Sequence, residues 1–207
     1  MKIVVIADDE AKNELLAQGT VDPVELIWQQ APAAIPGADA YLDLLFTPGT
    51  ERINKLREFL PAPVIVNSVI TTTNMLPAGF TRINGWKTFL KRPVVETAES
   101  VTNNDSVAMV FSAFNKTIEW VPDIPGFITA RVISMIINEA WFTFEEKVST
   151  KAEIDTAMKL GTNYPYGPFE WGEKIGLKNV YELLNTLAAT NSRYQPAALL
   201  QKQAGAS

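Results

Sequence analysis

Short apolar runs rich in valine and isoleucine recur through the first part of the chain, and between them apolar positions return at helical spacing. Residues 2–7 form a continuous apolar run that reads as a buried strand, and residues 24–29 alternate as a second. Further strands are predicted over 41–46, 64–69, 83–90, 94–97 and 117–120. The helical patterns fall at 10–18, stopped by Gly19, at 51–60 with Ile53, Leu56 and Leu60 on one face, and at 105–114. Strands alternating with helices predict an α/β fold with a largely parallel sheet.

The pattern changes near Val121-Pro122, and beyond it nearly every segment repeats at helical period. Two domains are therefore expected, 1–121 and 122–207, the second all-α. A helix over 126–147 carries Val132, Ile133, Ile136, Ile137, Ala140, Trp141 and Phe144, an apolar face too wide for one-sided packing, so it is central. Thr150 and Glu153 stand at capping-box spacing and start a helix that Gly161 is expected to end. Gly167-Pro168 opens another, with proline at the first helical position, and Gly176 stops it. Helices over 178–189 and 197–203 complete five with short connections. A compact helical domain of this kind often buries a face in a partner, so a homodimer through it is expected.

Composition narrows the chemistry. Of 207 residues 47% are apolar, enough for a packed core, and no run of about eighteen apolar residues suggests a membrane span. The apolar start is too short for a secretory leader and runs into Asp8-Asp9-Glu10, so a cytoplasmic location is expected. With neither cysteine nor histidine, disulfides, thiolate or imidazole metal sites and serine-histidine triads are excluded. A net charge of −5 without a basic block argues against nucleic acid. Lys87, Lys91 and Arg92 form the densest cationic group, an anion site or a solvated turn.

Two segments carry a resemblance: Asp123-Ile-Pro-Gly-Phe-Ile-Thr-Ala-Arg131 and Ala157-Met-Lys-Leu-Gly-Thr-Asn-Tyr-Pro-Tyr-Gly-Pro-Phe-Glu170. With Asn138-Glu139-Ala140, Ile154-Asp155-Thr156 and Arg193-Tyr-Gln-Pro-Ala-Ala-Leu-Leu200, they resemble the C-terminal helical domain of the 3-hydroxyacyl-CoA dehydrogenase family. A thinner likeness runs through Ala38-Asp39-Ala40, Val66-Asn67-Ser68, Gly85-Trp-Lys-Thr-Phe89 and Val95-Glu96. The resemblance implies a shortened Rossmann-like domain followed by the helical one, with a large middle piece of the family's nucleotide-binding domain missing.

What the resemblance implies chemically is oxidation of a 3-hydroxyacyl-CoA by NAD. The family uses a histidine base, a glutamate that holds it, and a serine and an asparagine near the substrate oxygen. On this chain the serine falls at Ser68, the glutamate at Glu96, the histidine at Lys87 and the asparagine at Ala130. A desolvated lysine can act as a base, but a carboxylate beside it favours the inert ammonium, so Lys87 and Glu96 are also read as a structural ion pair. Ser68, at a strand end, is equally a turn-capping hydroxyl. Tyr166, Phe169 and Trp171 line an acyl or CoA groove on one reading and pack a core on the other.

NAD, the cofactor implied by the family, is disfavoured by the residues. A dinucleotide fingerprint needs glycines between the first strand and its helix, where this chain has Ala7-Asp8-Asp9-Glu10-Ala11-Lys12, with Gln29 and Gln30 at the ribose-binding position. The readings are a family member with impaired or lost catalysis, a non-catalytic acyl-CoA or small-acid binding module, and a dimerising structural or regulatory protein, pairing with itself or a full-length relative.

Overall fold

The structure is a computed structural model describing residues 1–98 and 104–205. Contacts divide it into two units, Met1–Phe127 and Ile128–Ser207.

In the first unit seven strands form one sheet: β1 (Lys2–Ile6), β2 (Glu25–Gln29), β3 (Ala40–Asp43), β4 (Val64–Asn67), β5 (Phe80–Ile83), β6 (Val94–Ala98) and β7 (Thr117–Val121). Their order is β2-β1-β3-β4-β5-β6-β7, parallel except where β6 runs against β5. The helices are α1 (Asp9–Leu15), α2 (Thr50–Arg57) and α3 (Asn104–Ser112). Strand β1 explains why its sequence runs apolar without a break. Ile3 and Val5 join the core that includes Leu15 of α1 and Phe111 of α3, whereas Val4 joins Tyr41, Leu56 and Phe59 on the opposite face. This mostly parallel sheet with its helices is the α/β unit expected.

One expected strand, over 83–90, is not formed. The strand is Phe80–Ile83, and the chain then turns. Trp86, Phe89 and Leu90 are buried within that turn, so their apolar character reflects anchoring, and Thr88 sits at φ 78, which breaks any ladder.

The second unit holds α4 (Thr129–Glu145), α5 (Lys151–Thr162), α6 (Pro168–Ile175), α7 (Leu177–Ala188) and α8 (Ala198–Ala204). Helix α4 starts three residues later than expected because Gly126 and Phe127 are left-handed, at φ 91 and φ 49. It is central, burying Ile133, Ile137 and Trp141. The capping box is present, but Gly161 does not end α5. That helix stops at Asn163, φ 56, an asparagine supplying the left-handed cap. Asp155 of α5 reaches the start of α6, its oxygens accepting from Phe169 N at 2.8 Å and Glu170 N at 3.1 Å. A Cβ at Gly167 would lie 2.3 Å from Asp155, so the glycine makes room for the carboxylate. Among the described residues no helix is long and apolar enough to cross a membrane.

Candidate functional site

The register places two of the polar candidates, Ser68 and Glu96, in one row with Asn84, which sequence reading does not single out. Asn67 pairs with Ile83 in the parallel ladder, and Ile83 pairs with Thr97 in the antiparallel one. One step further on, Ser68 and Asn84, the first residues past β4 and β5, stand in line with Glu96 in the middle of β6. All three are buried.

Glu96 Oε2 accepts from Asn84 Nδ2 at 3.0 Å, and Asn84 N donates to Glu96 O at 2.9 Å. The expected pairing of Lys87 with Glu96 is therefore corrected. Lys87 Nζ meets Glu10 Oε2 at 2.5 Å, with both side chains about half exposed. That hydrogen bond is the main reason the lysine pKa is raised, which moves Lys87 away from a base. Asn84 escapes sequence reading because it lies inside 83–90, the stretch whose pattern predicts a strand. With β5 ending at Ile83, it becomes the first residue past a strand end and faces the glutamate.

Ser68 donates its hydroxyl to Thr71 O at 2.8 Å, a local turn bond. Its backbone and that of Val69 accept from Arg82 Nη1 at 2.9 and 3.2 Å. Arg82 is fully buried, pairs with Asp123 and lies 4.2 Å from the Phe127 ring centroid. Asp123 in turn accepts from the amide and hydroxyl of Thr73. Burial lowers the arginine's pKa, and the Asp123 carboxylate counters this. The start of the Asp123 motif is thus bolted to the loop after β4 by an arginine that sequence reading passed over.

The cationic group divides. Lys91 O accepts from Gln18 Nε2 at 2.8 Å, and the Lys91 charge acts on Glu14. The Arg92 guanidinium lies 5.1 Å from the Phe89 ring centroid and feels Glu96.

The strand order changes direction at β1 and β3, the place where an open α/β sheet receives a dinucleotide. Here α1 is seven residues long and one of its N-terminal amides is taken, Ala11 N donating to Asp8 Oδ1 at 2.8 Å. Three successive acids, Asp8, Asp9 and Glu10, surround the position of a pyrophosphate. At the end of β3, fully buried Asp43 is held bidentately by Arg52 at 2.8 and 2.7 Å. These residues do not fit a dinucleotide.

In the second unit, Phe169 is buried edge-on to Trp141 and Phe144, with centroids 5.2 and 6.0 Å away. Tyr166 packs on Trp171 at 5.8 Å. Ala130 is fully buried. An apolar concavity of this unit, about 650 Å³, lies between α4 and α5, lined by Ile136, Ala140, Val148, Ile154, Ala157 and Met158 among others. Helix α5 buries none of its twelve side chains.

Residues 126–206 match the family model described as 3-hydroxyacyl-CoA dehydrogenase, C-terminal domain. The 3-hydroxyadipyl-CoA dehydrogenase of Escherichia coli (strain K12) is 38% identical over 117 residues, 54% of this chain and 25% of that protein. A 3-hydroxybutyryl-CoA dehydrogenase of Clostridioides difficile is 38% identical over 100 residues, 47% of this chain and 36% of that protein. The chain thus spans well under two thirds of these relatives. A crystal structure of (S)-3-hydroxybutyryl-CoA dehydrogenase PaaH1 from Ralstonia eutropha shares the fold, with TM-score 0.77 and 16% identity over 99% of this chain and 93% of that one. A 3-hydroxybutyryl-CoA dehydrogenase structure from Escherichia coli K12 has TM-score 0.60 and 32% identity, over 69% of this chain and 31% of that one.

Proposed function

We propose that this protein, whose residues 126–206 match the 3-hydroxyacyl-CoA dehydrogenase C-terminal domain, is a member of that family from which dehydrogenation has been lost. One observation carries the reading: Glu96, at the family's glutamate position, faces the amide of Asn84 and no base, while Lys87, at the histidine position, is paired with Glu10 and held in its charged form. A carboxamide neither takes nor gives a proton near neutral pH, so the hydroxyl proton has no acceptor there. The acidic start of α1, Asp8-Asp9-Glu10 with Asp8 as its cap, adds a second reason, since hydride transfer needs a bound nicotinamide.

The test is spectroscopic. Acetoacetyl-CoA with NADH or NADPH, and 3-hydroxybutyryl-CoA with the oxidised forms, should give no change at the nicotinamide absorbance, and none of the dinucleotides should raise the melting temperature. Steady turnover with any pair sinks the proposal. A melting shift with acetoacetyl-CoA or CoA alone would identify a retained acyl-CoA pocket without chemistry.

The second reading is homodimerisation, favoured by α5, whose Ile154, Ala157 and Met158 line an open apolar groove while the helix buries no side chain. Light scattering should give twice the chain mass, and Ile154→Glu should give a monomer with an unchanged melting temperature for the first unit. A wild-type monomer at 100-fold the assay concentration would refute it.

A further inference from the structure

The groove between α4 and α5 is chemically one-sided. Its floor is apolar, and the polar residues that line it are Glu139, Thr143, Ser149 and Glu153. Both hydroxyl protons are already engaged. Thr143 Oγ1 donates to Glu139 O at 2.9 Å, one turn back on α4, and Ser149 Oγ donates to Glu153 Oε2 at 2.7 Å. A hydroxyl has one proton, so neither can donate to a molecule in the groove, which offers only acceptors and two carboxylates. No lysine or arginine is among the described residues that line it. Lys151, at the start of α5, holds its ammonium 4.1 Å from the Trp141 ring centroid and 5.3 Å from those of Phe144 and Phe169, and Lys159 meets Glu170 at 3.3 Å.

Glu153 is fixed in its charged form. Its Oε2 accepts from Ser149, from Thr150 Oγ1 at 2.8 Å and from Thr150 N at 3.1 Å, and these bonds, Ser149's foremost, lower its pKa to about 2. Its Oε1 has no partner among the described residues. Glu139 is exposed, and its carboxylate likewise has none among them. A carboxylate or phosphate entering this groove meets two negative charges and no donor, whereas a neutral molecule gains apolar contact alone. An ammonium group on an apolar body satisfies both the floor and the rim. The volume of about 650 Å³ falls inside the range of about 300–1,000 Å³ usual for small-ligand sites.

We propose that the groove between α4 and α5 is a binding site for an amphiphilic primary amine, with its alkyl body on Ile154, Ala157 and Met158 and its ammonium at the Glu139 and Glu153 carboxylates. The site is separate from the dinucleotide position and does not depend on whether dehydrogenation is lost. It shares its surface with the homodimer reading, so the amine and a second copy compete for it.

Octylammonium, octan-1-ol and octanoate have the same apolar body and differ in charge. Each is added to the full chain at pH 7 and constant ionic strength, with the methyl groups of Ile154, Ala157 and Met158 followed by NMR and the mass by light scattering. Octylammonium should shift these methyls and bind roughly fivefold more tightly than octan-1-ol, the effect of two exposed ion pairs, while octanoate leaves them unshifted. In Glu139→Gln/Glu153→Gln, where glutamine keeps the capping box, octylammonium should bind no better than octan-1-ol. Methyls that octylammonium leaves unshifted up to about 3 mM overturn the proposal, as does octanoate binding as tightly as the amine. The mass separates this outcome from the other reading: a dimer that takes no amine refutes the amine site alone, and a monomer that takes it refutes only the dimer.

Discussion

Removing the Asp155 carboxylate tests whether the Gly-Pro-Phe motif is architecture. Asp155→Ala deletes two charge-assisted bonds to the first amides of α6, 2.8 and 3.1 Å long, and a negative charge at a helix N-terminus. An N-cap loss costs about 0.5–2 kcal/mol and the dipole adds about 0.3–1, so the helical unit should lose roughly 2 kcal/mol. Gly167→Ala should cost at least as much for a different reason. Gly167 has φ −71, open to any residue, so backbone freedom is not at issue; the added Cβ would lie 2.3 Å from both Cβ and Cγ of Asp155. Asp155→Ala keeps its own Cβ and gives no relief, whereas Asp155→Gly does. The Gly167→Ala penalty should therefore persist beside Asp155→Ala and shrink beside Asp155→Gly. Urea unfolding followed by tryptophan fluorescence measures the three single and two double variants, since Trp141 and Trp171 report on this unit. A Gly167→Ala cost below about 0.5 kcal/mol, or an Asp155→Ala variant as stable as wild type, would refute the capping account.

Three further outcomes are expected. Arg52→Ala leaves fully buried Asp43, whose pKa burial already raises, without its partner; the loss should be about 3–5 kcal/mol near neutral pH in chemical denaturation and should shrink as pH falls and the carboxyl protonates. Burial lowers Lys116 from 10.5 to about 8, so between these values the unfolded chain binds the extra proton and stability rises with pH, by up to about 3 kcal/mol; Lys116→Met should flatten that rise in melting temperatures between pH 7 and 10. Asn84→His introduces the chain's sole imidazole, so NMR gives an unambiguous titration. The Glu96 carboxylate should hold its pKa above about 6.5, giving stability that is present at low pH and lost as pH rises through the folded value; a pKa below 6.5 would show that Glu96 does not act on this position.

Sequence carried the fold well where local chemistry decides it. The β1 run, the Thr150 to Glu153 box and the Pro168 start all depend on neighbours within a few residues, and all appear in the structure. The strand expected over 83–90 and the helix end expected at Gly161 are not formed, because Thr88 and Asn163 take left-handed backbone that a residue other than glycine adopts only case by case. The site was legible as a set of residue types and illegible as a set of pairs. Glu96 stands out in the sequence by residue type, but its partner depends on where β5 ends, and Arg82 meets Asp123 across 41 positions of sequence. Such long-range pairings leave no local trace.

The sheet's connections also set how the molecule is made. Pairing Val4 with Tyr41, or Thr81 with Ile65, requires a loop or crossover to close before any ladder contact rewards it. The helices of the second unit instead meet their neighbours across short links, as α6 and α7 do on either side of Gly176. In a refolding experiment, Trp141 and Trp171 should reach their native environment before Trp28, Trp86 and Trp120 do. On the ribosome the order of emergence is reversed, so the slow-folding sheet is exposed first, and it is the part whose unpaired strand edges most need protection while the fast-folding half is still being synthesised.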